Sequence, residues 1–331
     1  MRVFEEKGIC VEKSSFRIDP DSLKGAQNLV ITHAHSDHVK FNRNTDVYAT
    51  PETLSLIGSN YREVRKAHPM QFGKKKKFDS FEFSLHNSGH ILGSAQVLVE
   101  GDQTVLVTSD FKSQDSLVSK AAKPRDCDTL VIETTFGLPE YNFPKREEVY
   151  AEMEKWCGTE INAGKKVVLA GYSTGKSQEL TAFSNKFLGI TPIVHEKIFR
   201  NNEVYEEHGT KLGKYLKMDH NLKESDVLIL PPSLCKPHLL QALEFSTKKE
   251  IVSAMATGWN FRSHFDRIFN LSDHSSFNQL MDFVERSNPK QVLTMHGFSS
   301  EFARSVKRKL KIPAKPFSNS KKGQSCLAEF D

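Results

Sequence analysis

The stretch Ile31-Thr32-His33-Ala34-His35-Ser36-Asp37-His38 decides how this chain is interpreted, because it gathers three imidazoles and one carboxylate within six positions. The apolar run 29–31 leads directly into it and predicts a buried strand that ends in a loop carrying these side chains. Zinc accepts imidazole and carboxylate ligands, and four such groups in one loop exceed what a single ion needs. The stretch therefore predicts two adjacent metal ions; the plainer alternative is a polar loop with a chance cluster of histidines.

Length and composition set the frame for that site. The 331 residues favour two domains, or one large domain with an insertion. No apolar run reaches membrane-spanning length and the N-terminus has no signal-peptide core, so we expect a soluble, cytoplasmic protein that does not contact a membrane. The five cysteines are scattered, which predicts neither a disulfide framework nor a cysteine zinc cluster. A net charge of +5 is compatible with a polyanionic partner but does not demonstrate one.

Further ligand-type residues follow predicted strands. Asp110 and Glu133 each follow a short apolar run, Asp19 ends another predicted strand, and His296 closes one late in the chain. Ligand sites in layered α/β folds gather at such strand ends. His90 stands in a loop flanked by glycines, which permit a tight turn close to an ion.

The middle of the chain has a different character. From about residue 141 to 262 predicted strands and helices alternate without any metal-like cluster. We expect an inserted α/β domain there. The predicted organisation is a first part of a metal-binding domain at 1–140, the insertion at 141–262 and the closing part of the metal-binding domain at 263–331.

These residues can be sorted into two ion sites that share one ligand. His33, His35 and His90 could hold one zinc ion, and the second could be held by Asp37, His38 and His296. Asp110 is the natural bridge because a carboxylate has two oxygens. Two ions about 3.5–4 Å apart would share a hydroxide suited to in-line attack on phosphorus. These ligands also accept manganese or iron.

The order of the motifs carries a family resemblance over nearly the whole chain. The histidine stretch resembles the metallo-β-lactamase fold, and the later stretches 133–137, 272–276 and 295–297 resemble the three extra motifs of its β-CASP nuclease branch. Within that branch the chain is most similar to the ligase-associated DNA exonucleases, also called messenger-RNA 3′-end processing factor-like proteins. The resemblance implies an α/β fold: an αββα sandwich with a compact β-CASP domain inserted over the metal cleft.

The resemblance also implies roles for single residues. Asp19 matches an acidic motif whose structural role is to hold the metal ligands in position without binding the metal itself. His274 matches the general acid that protonates the leaving oxygen, and Glu133 matches the acid that orients it. His296 matches the last motif, where the eukaryotic DNA-repair branch carries valine, and a histidine there favours two metals. Asp37, His274 and Glu133 are the expected catalytic residues.

One substrate contact is predicted from the insertion. Ser173 and Lys176 stand where a helix is predicted to begin, and a helix N-terminus with a lysine can hold a phosphate. Plain helix capping is the alternative.

The functional prediction is a two-metal-ion phosphodiesterase: a DNA exonuclease in DNA repair or processing, functionally linked to a DNA ligase. The first alternative is an RNA-processing nuclease of the same family, acting on internal bonds or from an end. The second is a small-molecule metallo-hydrolase of the same fold, against which the Glu133–His274 pair and the insertion argue. A non-catalytic nucleic-acid-binding protein would have no use for a complete set of metal ligands.

Overall fold

The computed structural model describes residues 3–5, 8–12, 14–78, 80–219, 222–259 and 264–317. The chain forms two compact units. The first contains the described residues up to Asp115, Lys120–Asn142, and the described residues from His274 onward; the second contains Ser116–Ser119 and Phe143–Asp273. Both units mix strands and helices, which confirms the predicted α/β class.

The elements are numbered here in chain order. The strands are β1 Val3–Glu5, β2 Ile9–Val11, β3 Phe16–Ile18, β4 Asn28–Val30, β5 Asp46–Ala49, β6 Ala67–Pro69, β7 Lys75–Phe78, β8 Phe81–Asn87, β9 Ala95–Glu100, β10 Thr104–Val107, β11 Thr129–Glu133, β12 Lys166–Ala170, β13 Ile193–Val194, β14 Leu216–Lys217, β15 Val227–Leu230, β16 Ile251–Thr257, β17 Arg267–Asn270, β18 Gln291–Met295 and β19 Ala314–Pro316. The α-helices are α1 Pro51–Asn60, α2 Arg146–Asn162, α3 Lys176–Phe183, α4 Glu196–Glu207, α5 Pro237–Thr247, α6 Phe277–Ser287 and α7 Ser299–Leu310. A π-helical turn, Ser184–Leu188, continues α3, and a 3₁₀ turn, Pro232–Leu234, precedes α5.

The first unit contains two sheets with a shared core. One sheet runs in the order β1-β2-β3-β4-β5-β6, and the other in the order β19-β18-β11-β10-β9-β8-β7. Alternate residues of β10 point to opposite faces: Val105 and Val107 join the core between the sheets, whereas Leu106 joins a second core with α6 and α7. This alternation produces the layers that the resemblance predicted, with helices outside paired sheets.

Local sequence explains where the helices of this unit begin. The Thr50 hydroxyl accepts a hydrogen bond from the Thr53 backbone N–H, and Pro51 occupies the first turn of α1. Ser276 and Gln279 form a reciprocal capping box at the start of α6. The buried face of α6 carries Phe277 and Leu280 at helical spacing.

The second unit is built around one parallel sheet with the order β14-β13-β15-β12-β16-β17. Val167 and Leu169 of β12 pack in a core with α2 and α3, and Val168 and Ala170 pack on the other face with α5. Helices therefore cover both faces of this sheet, which explains why its strands have near-continuous apolar sequences.

The division of the chain differs from the expected one at the end of the insertion. Strand β17, Arg267–Asn270, pairs in parallel with β16 and belongs to the second unit, which extends to Asp273. The expected boundary at 263 therefore falls too early. The strand sequence alone could not show which sheet it joins, because pairing partners are set by tertiary contacts. None of the helices in the described part of the chain has the length and apolar character needed to span a bilayer.

Candidate metal centre

The ligand-type residues of the first unit follow the carboxyl ends of its parallel strands. The histidine loop comes directly after β4, and Asp19 comes directly after β3, its parallel neighbour. On the second sheet β10, β11 and β18 run parallel, and Asp110, Glu133 and His296 lie at or just beyond their carboxyl ends. Because parallel neighbours end at the same edge, residues from distant parts of the sequence become close in space.

Four side chains form one cluster: His33, His35, His90 and Asp110 each place one ligand atom within 4.8 Å of the others. His90 Nε2 lies 3.0 Å from His35 Nδ1. Asp110 Oδ2 lies 3.6 Å from Nε2 of His33 and 3.8 Å from Nε2 of His90. The arrangement can hold a metal ion with three nitrogen donors and one oxygen donor.

The same carboxylate oxygen also faces the other candidate ligands. Asp110 Oδ2 lies 3.6 Å from His38 Nε2, and Asp37 Oδ2 lies 3.4 Å from that nitrogen. The ring of His296 lies with its centroid 6.1 Å from that of His38. Asp110 is thus positioned between the His33–His90 side and the His38 side, which is the geometry that a bridging ligand requires.

Two of these nitrogens have a chemistry that fits a metal. His33 Nε2 and His296 Nε2 are buried and lack a hydrogen-bond partner among the described residues. Buried polar atoms in proteins are almost always paired, so each of these atoms calls for a ligand that the polypeptide does not supply. Zinc, a borderline metal that prefers imidazole nitrogen, fits this donor set.

Asp19 joins the histidine loop to the second sheet. Its Oδ1 accepts a hydrogen bond of 2.9 Å from the Thr32 N–H, and its Oδ2 accepts one of 2.6 Å from the Thr32 hydroxyl. The same Oδ2 lies 2.9 Å from His38 Nδ1 and accepts a 2.9 Å bond from the Ser109 hydroxyl. Asp19 therefore orients the His38 ring so that Nε2 faces Asp110.

Thr32 and Ser109 were not singled out in the sequence. Their hydroxyl oxygens lie 2.7 Å apart, and Thr32 Oγ1 lies 3.0 Å from His33 Nδ1. The only available signal was their position next to ligand-type residues, which does not distinguish a supporting hydroxyl from an exposed one.

Strained backbone conformations also occur at this site. Asp19, Ser109 and His296 have φ angles of 45°, 48° and 59°, in the left-handed region that costs non-glycine residues about 1 kcal/mol or more each. Gly89, at φ 73°, could not be replaced easily, because a Cβ there would lie 2.6 Å from the Lys120 carbonyl oxygen. The loop before His90 therefore requires glycine.

A second pair stands beside the cluster. His274 Nδ1 lies 2.9 Å from Glu133 Oε1, and Glu133 Oε2 accepts a 3.0 Å bond from the Thr135 N–H. The His274 ring lies with its centroid 4.7 Å from that of His90. Glu133 is fully buried, so its charge is directed at His274 with little screening by water.

The burial and close spacing of these ionisable side chains shift their pKa values. Burial, and then the charges of His38 and His90, hold the pKa of His33 well below its usual value. Burial alone would lower the pKa of His38, but the carboxylates of Asp19 and Asp110 hold it well above its usual value. Burial raises the pKa of Asp110 to about 7, against the opposing charge of His38. Bound cations would reverse this balance by favouring neutral imidazoles and an ionised carboxylate.

The structure does not support the predicted phosphate contact at Lys176. Its side chain is 2% exposed, and its ammonium bonds Glu179 Oε2 at 3.0 Å and Asp273 Oδ1 at 2.9 Å within the second unit. A buried lysine that neutralises two carboxylates is not available to a phosphate. Ser173 is partly exposed, and its carbonyl accepts hydrogen bonds from the side chains of Gln178 and Asn201; a contact of its hydroxyl with phosphate stays a prediction.

Comparison with known proteins agrees with this chemistry. Residues 263–315 match a family model described as a Zn-dependent metallo-hydrolase RNA specificity domain. The chain is 32% identical to a probable DNA ligase of Opitutus terrae over 84% of this chain and 28% of that protein. It is 24% identical to transcription termination factor FttA of Methanothermobacter thermautotrophicus, over 89% of this chain and 62% of the relative. It is 22% identical to probable RNase MJ4 of Methanocaldococcus jannaschii, over 84% of this chain and 83% of the relative. The chain thus spans less than two thirds of the length of each of the first two relatives.

Proposed function

Because the chain belongs to the β-CASP branch of the metallo-β-lactamase fold, we propose that it is a nuclease that hydrolyses phosphodiester bonds with two bound metal ions, acting on DNA as an exonuclease. The observation that carries this proposal is the position of Asp110 Oδ2, within 3.8 Å of a nitrogen of three different histidines. A carboxylate shared in this way supports a pair of ions more than a single one.

Each residue has a distinct task in the proposed reaction. One ion would be held by His33, His35 and His90. The other would be held by Asp37, His38 and His296. Asp110 would contact both ions. When bound, the ions would activate a water molecule and neutralise the charge on the phosphate oxygens. Asp19 holds His38 in the orientation that the site requires, through the 2.9 Å contact to Nδ1.

The leaving oxygen needs a proton, and His274 is the residue proposed to supply it. A protonated imidazole donates through Nε2 when a carboxylate holds its Nδ1, and Glu133 Oε1 lies 2.9 Å from that atom. Glu133 keeps its charge because burial, which would raise its pKa, is outweighed by His274 and by hydrogen bonds, so its pKa is lowered.

DNA is proposed as the substrate on the strength of the relative named a probable DNA ligase, which also motivates the proposal of a functional link to a DNA ligase. A ribonuclease is the second candidate. It is favoured by the description of the matching family model as an RNA specificity domain and by the relative named a probable RNase.

The test is cleavage of single-stranded DNA and RNA, labelled at the 5′ or the 3′ end, in the presence of zinc or manganese. A ladder that starts from one end of DNA is expected. Cleavage confined to RNA would replace the first candidate by the second. No cleavage of either strand by protein that has bound its metal would contradict both and point to a small-molecule hydrolase, which thioester and lactone substrates would identify.

Matched variants locate the activity. Asp37→Ala and His274→Ala are expected to abolish cutting, whereas His238→Ala removes an exposed histidine of the second unit and is the control. Full cutting by both site variants would refute the residue assignment.

A further inference from the structure

A cavity lies beside the histidine loop, and none of the residues assigned above to metal or acid chemistry lines it. Its volume is about 620 Å³, within the range of about 300–1,000 Å³ that is usual for ligand sites. Three segments of the first unit form its wall: 21–23, 39–41 and 61–62. The cavity is therefore large enough for a nucleotide.

The cavity is tied to the histidine loop by a direct contact. The Tyr61 hydroxyl donates to the carbonyl oxygen of Ala34, between His33 and His35, at 3.3 Å. Lys40 and Phe41 follow His38 after a single intervening residue. A molecule bound in this cavity would lie next to the proposed site of hydrolysis.

The wall offers two flat surfaces. Tyr61 as a residue is 44% exposed. The guanidinium of Arg62 lies over the buried ring of Phe41, with Cζ 4.6 Å from the ring centroid, and it also donates to the Phe41 carbonyl. Phe41 thus fixes the guanidinium plane of Arg62, whose side chain is itself exposed. Aromatic rings and guanidinium planes are the surfaces on which unpaired bases stack.

The rim adds a cation. Lys40 Nζ donates to the Asp21 carbonyl at 3.0 Å and lies 3.9 Å from Asp21 Oδ1, and its side chain is 43% exposed. An ammonium held by one exposed carboxylate and one carbonyl retains the ability to contact phosphate, because exposed ion pairs contribute about 0–1 kcal/mol.

The geometry points to a nucleotide subsite: this cavity binds one nucleotide of a single strand, with its base stacked on Tyr61 or Arg62 and its phosphate at Lys40. The inference rests on the proposed nuclease function and specifies where the strand is held. It makes Tyr61, Arg62 and Lys40 substrate-binding residues outside the set of metal ligands.

The test separates base contacts from phosphate contacts in the metal-loaded protein. The probes are fluorescent ten-nucleotide strands with phosphorothioate links, which resist cleavage, made as oligothymidylate, as oligouridylate and as an abasic strand of equal charge. Fluorescence anisotropy gives the Kd for each. We expect the wild type to bind a base-bearing strand at least about fivefold more tightly than the abasic strand, as one stacked base implies.

The variants should divide into two groups. Tyr61→Leu and Arg62→Gln are expected to reduce the preference for bases by several-fold, whereas Lys40→Gln weakens binding of all strands by a similar factor. Arg65→Gln removes an exposed cation that is close in sequence and does not line the cavity, so it is the charge-matched control. An unchanged preference in both Tyr61→Leu and Arg62→Gln would overturn the inference.

Two measurements keep the result interpretable. The metal content of Tyr61→Leu shows whether loss of the Tyr61 hydroxyl disturbs the histidine loop. If the metal content falls, the base preference of Arg62→Gln alone decides whether the inference stands. Cleavage of unmodified strands by the wild type tests the proposed function separately. If the wild type cleaves and the preference for bases survives in the variants, only the subsite is wrong; if it cleaves nothing, the nuclease proposal has failed.

Discussion

His274 Nδ1 lies 2.9 Å from Glu133 Oε1, although 141 residues separate the two in the sequence. The carboxylate is fully buried, and its second oxygen accepts the backbone N–H of Thr135. Both oxygens are therefore engaged, which fixes the carboxylate and, through it, the orientation of the imidazole. This relationship is the basis of the proposal that His274 is a proton donor.

The first prediction concerns that donor. Glu133→Gln should lower the turnover of an unactivated phosphodiester by about 10²–10⁴-fold, because the imidazole loses the charge that favours its protonated form. Bis(p-nitrophenyl) phosphate, whose leaving group needs no proton, should lose much less. Steady-state rates on both substrates provide the measurement. Equal losses on the two would show that Glu133 acts in some way other than through His274.

The second prediction concerns metal stoichiometry. Metal analysis of the purified wild type should give two ions per chain, and His296→Ala should reduce this to about one. The reason is that His296 Nε2 is a buried nitrogen without a hydrogen-bond partner in the described part of the chain, on the His38 side of Asp110. Retention of two ions in the variant would exclude His296 as a ligand.

The third prediction tests whether the hydrogen bonds of Asp19 orient the predicted metal ligand His38. Asp19→Asn should weaken metal binding about 10–100-fold, because the orientation of His38 is lost while the ligands remain. Ser109→Ala should have a smaller effect in the same direction, since Asp19 retains its two bonds from Thr32. Competition with a chelating dye measures both affinities, and wild-type affinity in Asp19→Asn would contradict the role.

The fourth prediction concerns stability of the second unit. Glu179 is fully buried and bonds both Arg146 and Lys176. Glu179→Gln should lower the free energy of unfolding by about 3–5 kcal/mol, because Arg146 and Lys176 would then share the single carboxylate of Asp273. The matched control is Glu152→Gln, which breaks an exposed pair with Arg267 and should cost no more than about 1 kcal/mol. Urea unfolding compares them, and equal costs would contradict the argument.

The fifth prediction is a pH dependence at His86. Burial, and then the charge of Arg125, lower its pKa to about 4. The unfolded state, with an ordinary pKa near 6.5, therefore binds the proton first, so stability from this group is present above pH ~6.5 and is lost as the pH falls towards 4. His86→Gln should lose less stability than the wild type between pH 7 and 5 in urea unfolding. The same loss in both proteins would rule out His86 as the cause.

Much of this structure could be predicted from local patterns. The apolar runs before Asp110 and Glu133 predicted β10 and β11, because this signal depends on neighbours within a few positions. The run of three histidines and an aspartate predicted the types of metal ligand for the same reason. The alternating middle of the chain also predicted the inserted α/β unit, although not the inclusion of β17.

Long-range distances were decided by the tertiary structure alone. Whether Asp110 faces three histidines depends on the parallel pairing of β10 with β11 and of β11 with β18, which no local pattern encodes. Lys176 shows the converse: its place before a helix suggested a phosphate contact, but packing buried it between Glu179 and Asp273. Sequence by itself determined which chemical groups are present and on which strands they lie. The order of strands in the sheets determined which of those groups meet, because burial and contact are properties of residues that are distant in the chain.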